Sequence, residues 1–586
     1  VATGDSSSGP SARGASPRAW FLGFTFAALA AVLATLHLDS GTHPEAGPRP
    51  RSHAATVLPV KFAQAQSFLE EFRGHPLLAA NFDGAYRPFS WVDRSFTPLF
   101  GPSTDKECVE CDFYDPTPLS DDEVLFDAQE NGKRPFDIFL FNAKSGTLRN
   151  LTSSPGDDEG DYCVERTTRR IAFGRNAQER FGVVNDSLAV DSRMSGPGFA
   201  RCVFENPDTV LGVSGARDLF RCTWGSPCTS VPLEPPLETM SGLFRAKDGT
   251  VGVLGIVQGT SHRRAFALDG DRLTPIPARP AGPAGPAGGD EDVFEYDGNA
   301  FRLGLHARFW SSLAPSDSGI VSVQKEIGGV YYGIVANAES PRTLAELANG
   351  RWSLHEPPGA SFEGGRPAAP EEVWLTSSDG GRHQAFLFPA ATVDRAVLWL
   401  HGGPHENVSP RYSPYFDRLN QLGFSVLALN YPGSSGEGHA YETEFADRFL
   451  VGALQAATAY LAARGARVVV SWSISSGAKL QRLLLANHVA LSGMIDQAGF
   501  DNTDLRSLLA GLPYFSIRGA FDDVGRASGF DYVYPGGHDI TRPTAFDGLF
   551  QKLEPFLASL AATERDGSVN VREPATSPGE RSSLGE

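Results

Sequence analysis

Two textures of hydrophobic and polar positions divide this chain. From about residue 60 to 370, short runs alternate apolar and polar residues between clusters of turn residues. The clearest unit is Asp137 to Asn176: DIFLFNA alternates, KSG turns, TLRNLT returns, SSPGDDEGD loops and RRIAFGRN begins another strand. The same texture recurs at 250–276 and 329–355. A period of two is that of half-buried strands. Units of roughly 40–50 residues match four-stranded propeller blades. The region 60–370 is therefore predicted to be an all-β propeller of six to eight blades, with a pair of β-sandwiches as the alternative.

At about 371 the period changes. EEVWLTSSDGGRHQAFLFPA predicts a pair of antiparallel strands, and AVLWLHGG (396–403) and SVLALNYPG (425–433) are the continuous apolar runs of buried parallel strands. Amphipathic helices are predicted at 415–423 and at 444–465, where Gly465 supplies the C-terminal stop. ARVVVSWS reads as the next strand and SGAKLQRLLLANH as the next helix. Strands alternating with helices predict an α/β domain with a mostly parallel sheet over 371–563.

Three segments fit neither texture. The run Trp20–Leu38 (WFLGFTFAALAAVLATLHL) is long and apolar enough for a membrane span. Arg13 and Arg18 precede it, so residues 1–19 are expected in the cytoplasm and the rest outside or in a lumen. This predicts a single-pass type II membrane protein anchored at 20–38; a cleaved signal peptide and secretion, or a buried helix, are the alternatives. Residues 39–59 are a polar, Pro-rich stalk. The low-complexity stretch 278–292 and the tail 564–586 carry nothing to bury, and the tail is expected to be disordered.

Composition narrows the classes of function. With 51 Lys and Arg against 69 Asp and Glu, the net charge of −18 argues against a nucleic-acid partner. The six cysteines, Cys108, Cys111, Cys163, Cys202, Cys222 and Cys228, are even in number and predict two or three disulfides in an oxidising compartment. Cys108 and Cys111 have the spacing of a zinc pair, but no second such pair accompanies them. Sequons at Asn150, Asn185 and Asn407 agree with a lumenal or extracellular body.

The chemistry is carried by Val468-Val-Val-Ser-Trp-Ser-Ile-Ser475-Ser476-Gly477-Ala478. A strand entering a helix through small-x-Ser-x-Gly is a nucleophile elbow. Small residues at Ser473 and Gly477 let the turn close, Ser475 stands out at the sheet's carboxyl end, and the Ser476 N–H can stabilise an oxyanion. A serine hydroxyl needs a base and an orienting acid. In this type of sheet they follow in the order acid, then His. LPYFSIRGAFDDV supplies Asp522, with Asp523 as stand-in, and YVYPGGHDI supplies His538.

These residues resemble the prolyl oligopeptidase family of serine peptidases, in particular its acylaminoacyl-peptidase-like and dipeptidyl-peptidase-like branch. TSSDG (376–380), LHGGPH (400–405), LGFSVLALNYPGSSGEG (422–438), the elbow, RGAFDD (518–523) and YPGGHD (534–539) match its motifs in order, and the repeat near 137–158 resembles its blades. The resemblance implies a propeller capping an α/β-hydrolase, with Ser475 as nucleophile, Asp522 as acid, His538 as base and His401 at the second oxyanion position. It implies short, unfolded peptides as substrates, no metal or organic cofactor, and is compatible with a homo-oligomer. The acidic pair with which dipeptidyl peptidases hold a free N-terminus is not legible. Ser473 and Ala478 replace glycines of the family's elbow, and Arg518 replaces its usual His. The stretches from Ser475 to Asp522 and from Asp522 to His538 are short for the family. Residues 518–529 show no helical pattern although parallel strands ordinarily need a crossover of a dozen or more residues. A rebuilt acid loop or missing segments are therefore expected. The alternatives to a peptidase are a catalytically impaired relative serving as an interaction module and an esterase or lipase on the same fold.

Overall fold

The computed structural model describes residue 65 and most of the chain from 69 to 565. It leaves out 102–107, 154–158, 176–179, 185–189, 192–196, 259–262, 277–290, 305–318, 358–367, 435–438, 500–504, 523–528 and several breaks of one to three residues. The apolar run 20–38, the stalk, residues 566–586, Asn185 and Asp523 lie outside the described residues. Among the described residues no helix is long and apolar enough to cross a membrane.

Seven antiparallel sheets succeed one another over 70–98, 111–150, 159–191, 201–230, 237–275, 291–304 and 319–354, each built from strands consecutive in sequence. Six have four strands, and 291–304 has two among the described residues. Turn chemistry sets the hairpins. In the KSG turn, Asn142 Oδ1 accepts the N–H groups of Lys144 (3.1 Å) and Ser145 (3.0 Å), and Gly146 takes φ +69°. Apolar faces then pack sheet against neighbouring sheet. Phe72 and Leu77 meet Phe113, Phe126 and Phe139; Leu125 and Ile138 meet Ile171 and Phe173; Leu211 meets Val253 and Phe266. Leu78, Phe89 and Phe96 of the first sheet meet Ile334 and Leu344 of the last, so apolar packing between first and last sheets closes a propeller-like ring. Cys108 pairs with Cys111, Cys163 with Cys202 and Cys222 with Cys228. The C-x-x-C is thus a local disulfide, and Cys163–Cys202 ties the third sheet to the fourth.

The second domain is one eight-stranded sheet. Its strands are β1 (Glu371–Thr376), β2 (Arg382–Phe388), β3 (Arg395–Leu400), β4 (Ser425–Leu429), β5 (Val468–Ile474), β6 (Gly493–Gln497), β7 (Tyr514–Gly519) and β8 (Tyr532–Tyr534). They lie in the order β1-β2-β4-β3-β5-β6-β7-β8, with β2 antiparallel to both of its neighbours and every pairing beyond it parallel. Alternation divides the side chains between two cores. Val397, Trp399, Val470 and Trp472 face α1 (Pro414–Gln421) and the last helix, α4 (Pro543–Arg565). Ala396, Leu398, Leu427 and Leu429 face α2 (Asp447–Ala463) and α3 (Ala478–Ala486). Gly465 takes φ +91° just past α2, as its predicted role requires. The expected change from β blades to an α/β sheet is present.

Candidate active site

The site is assembled at the carboxyl ends of β3, β5, β7 and β8. After β5 the backbone turns sharply at Ser475, whose φ is +52°. For a residue with a Cβ this left-handed conformation costs about 1–3 kcal/mol and persists only where the surroundings enforce it. Gly477 shows the enforcement: a Cβ there would lie 2.5 Å from Leu400 O and 2.9 Å from His401 O, on the end of β3. Ser473, the other small residue, is buried and donates to Asp496 Oδ1 at 3.1 Å. Asp496, whose carboxyl burial pushes up to about 6, also accepts from Tyr514 at 3.1 Å. It thus supports the elbow from β6, a role with no sequence signal. Ser476 is buried at the start of the turn into α3, where first-turn N–H groups lack helical partners.

The structure brings Asp522 and His538 together. His538 Nδ1 lies 3.1 Å from Asp522 Oδ2 and 3.2 Å from Oδ1, and the Asp522 side chain is wholly buried. With Nδ1–H donated, Nε2 is left as the lone-pair nitrogen. Burial works against an imidazolium here, but the Asp522 hydrogen bond and the charges of Asp539, Asp522 and Glu406 outweigh it and raise the His538 pKa. Two tethers hold the pair. Arg518 donates to Asp522 O at 2.7 Å, and Tyr534 OH donates to Gly537 O (2.8 Å) and His538 O (2.7 Å). A Cβ at Gly519 would fall 1.8 Å from Gly537 O, so glycine there lets the acid and histidine loops approach. No hydrogen bond joins Ser475 Oγ to His538.

The His401 side chain is engaged inside the fold. The ring is buried and stacked on Tyr431 at 4.3 Å; its Nδ1 donates to Gly402 O and its Nε2 accepts from Ser434 Oγ, both at 2.8 Å. Burial holds its pKa down to about 4, so the ring is neutral and both nitrogens are committed. What this strand end can offer an anion is backbone N–H, not imidazole. Of the sequons, Asn150 donates Nδ2 to Asp137 at 2.8 Å and accepts from Thr152 and Ser153, while Asn407 is half-buried.

Propeller residues reach the histidine loop and the loop after β3. Asn81 donates to Thr541 O at 3.2 Å, Arg542 reaches Asp112 at 3.5 Å, and Tyr412 N–H donates to Asn337 O at 2.7 Å. The site therefore opens toward the propeller. Among the described residues, no group of three or more His, Cys, Asp or Glu is arranged to hold a metal.

Solved structures similar to this chain include peptidases. An acylaminoacyl peptidase of Pyrococcus horikoshii aligns over 86% of this chain and 96% of its own, at 12% identity and a TM-score of 0.58. A puromycin hydrolase aligns over 84% and 94%, at 13% identity and 0.61. A prolyl endopeptidase aligns over 86% and 90%, at 11% identity and 0.62. The chain has the fold of prolyl oligopeptidase family peptidases. At these identities the likeness is one of fold, and it extends over most of the chain. No family model matches the sequence.

Proposed function

We propose that this chain is a serine peptidase that hydrolyses short peptides through an acyl-enzyme. The observation that carries the reading is the buried Asp522 carboxylate 3.1 Å from His538 Nδ1, on the same edge of the sheet as Ser475 at its left-handed turn. Ser475 Oγ attacks the scissile carbonyl carbon while its proton passes to His538 Nε2. The C–N bond breaks as that proton moves to the leaving amine; water, activated by the same nitrogen, then releases the acyl group. Ser476 N–H, with backbone N–H groups after β3, receives the oxyanion. The propeller over the cleft restricts entry to short, extended chains. An oxidising, lumenal or extracellular location belongs to the same proposal, supported by the pairing of all six cysteines. It includes an anchor at 20–38, or a secreted form if that run is cleaved.

The missing Ser475–His538 hydrogen bond favours a second reading, a catalytically impaired relative. Resting sites often tighten only with substrate bound, so labelling decides. A fluorophosphonate probe should label the purified ectodomain and spare Ser475→Ala; no Ser475-dependent labelling would sink the hydrolase reading. Faster turnover of short peptides than of simple esters separates peptidase from esterase.

A further inference from the structure

A second histidine, His383, is buried near the start of β2, outside the triad, and both of its ring nitrogens are engaged. Nε2 lies 3.1 Å from Ser377 Oγ, in the turn between β1 and β2. Nδ1 lies 3.0 Å from the hydroxyl of Tyr441, on the short helix His439–Thr443. That hydroxyl has one proton and donates it to Asn430 O at 2.8 Å. The histidine is therefore the donor to Tyr441, through Nδ1–H. The backbone of Tyr441 holds the same segment from its other end, because its carbonyl accepts the Gly433 N–H at 2.8 Å.

The segment clamped in this way, 430–434, braces the strand end beside the nucleophile. Tyr431 OH donates to His401 O at 2.7 Å, and Ser434 Oγ donates to His401 Nε2 at 2.8 Å. His401 directly follows β3, and its carbonyl is one of the atoms against which Gly477 of the elbow packs. Gly402 comes next, where a Cβ would lie 3.2 Å from Ser475 Cβ. The N–H groups after β3 are those that receive the oxyanion in the proposed reaction. Donors of that kind act on charge that develops only in the transition state, so a small displacement of the strand end lowers the rate. We propose that His383 is a positioning residue: through Tyr441 it holds the turn 430–434, and that turn fixes the end of β3 beside Ser475. Its effect on rate rests on the hydrolase reading.

The test compares His383→Asn with His383→Gln. The Asn amide nitrogen stands as many bonds from Cα as Nδ1 and can still donate to Tyr441, whereas that of Gln matches Nε2. Hydrogen exchange at 430–434 should stay at the wild-type rate in His383→Asn. In His383→Gln it should be roughly 2- to 10-fold faster, the range for one lost hydrogen bond. Fluorophosphonate labelling should follow the same order: kinact falls roughly 10- to 100-fold in His383→Gln, with KI within about twofold, and recovers in His383→Asn. If both variants match the wild type, or both are impaired alike, the Nδ1 donor positions nothing and the proposal is overturned. Faster exchange with unchanged labelling overturns it too, because the turn would then hold no part of the site. Tyr441→Phe removes the connecting hydroxyl and leaves His383 in place, so it should repeat the His383→Gln losses. Wild-type exchange and labelling in Tyr441→Phe overturn the proposal even if neither His383 variant folds. Failure of the nucleophile reading shows separately, as labelling absent from the wild type while the exchange differences remain.

Discussion

Asp522 acts on His538 from complete burial, which makes the pair sensitive to the charge of a single oxygen. In the proposed reaction His538 must be uncharged to accept the Ser475 proton. Because the His538 pKa is raised, the labelling rate should climb with pH through a midpoint above the ordinary value of about 6.5. Asp522→Asn should move that midpoint down and slow labelling by roughly 10³- to 10⁴-fold with the circular dichroism spectrum unchanged. A midpoint that stays put would detach Asp522 from the base. The same linkage gives stability that is full below about 6.5 and lost as pH rises through the folded value. At this scale, Ser475, Asp522 and His538 stood out as candidates because each follows an apolar strand in the expected order. Asp496 did not, because its significance lies in the Ser473 and Tyr514 hydroxyls that meet it from neighbouring strands.

The elements were read best where the hydrophobic period was simple. The strands β3, β4 and β5, and the helices before and after β5, stand within a few residues of their predicted places. The last helix, Pro543–Arg565, was not foreseen. Its Phe546, Leu549, Phe550, Leu553 and Leu557 nevertheless repeat at three and four residues and pack, with α1, on one face of the sheet. Phe550→Ala should therefore cost about 3–5 kcal/mol, measured by urea unfolding; a loss below 1 kcal/mol would mean that α4 is not a core element. The short acid loop is another instance. β7 and β8 are parallel neighbours, although only residues 520–531 join them. Gly519 and the Arg518–Asp522 tether let so short a connection still deliver the acid to the histidine.

Over the whole molecule, stability is shared unequally. The three disulfides all lie within the propeller, and Cys163–Cys202 closes the longest loop, with a sequence separation of 39. Replacing both cysteines by alanine should destabilise the propeller by about 3–4 kcal/mol through the freer unfolded chain. The α/β domain has no such link, so its unfolding, followed by Trp399 and Trp472 fluorescence, should hold its midpoint. An unchanged propeller transition would show that this disulfide is not what joins the third and fourth sheets. The two textures and the turn after β5 could be read from local pattern alone, because periodicity and turn chemistry are local properties. Tertiary structure alone decided that the first sheet packs on the last and that His401 turns inward onto Tyr431. Those outcomes depend on which distant surfaces meet and exclude water, and no local pattern records that.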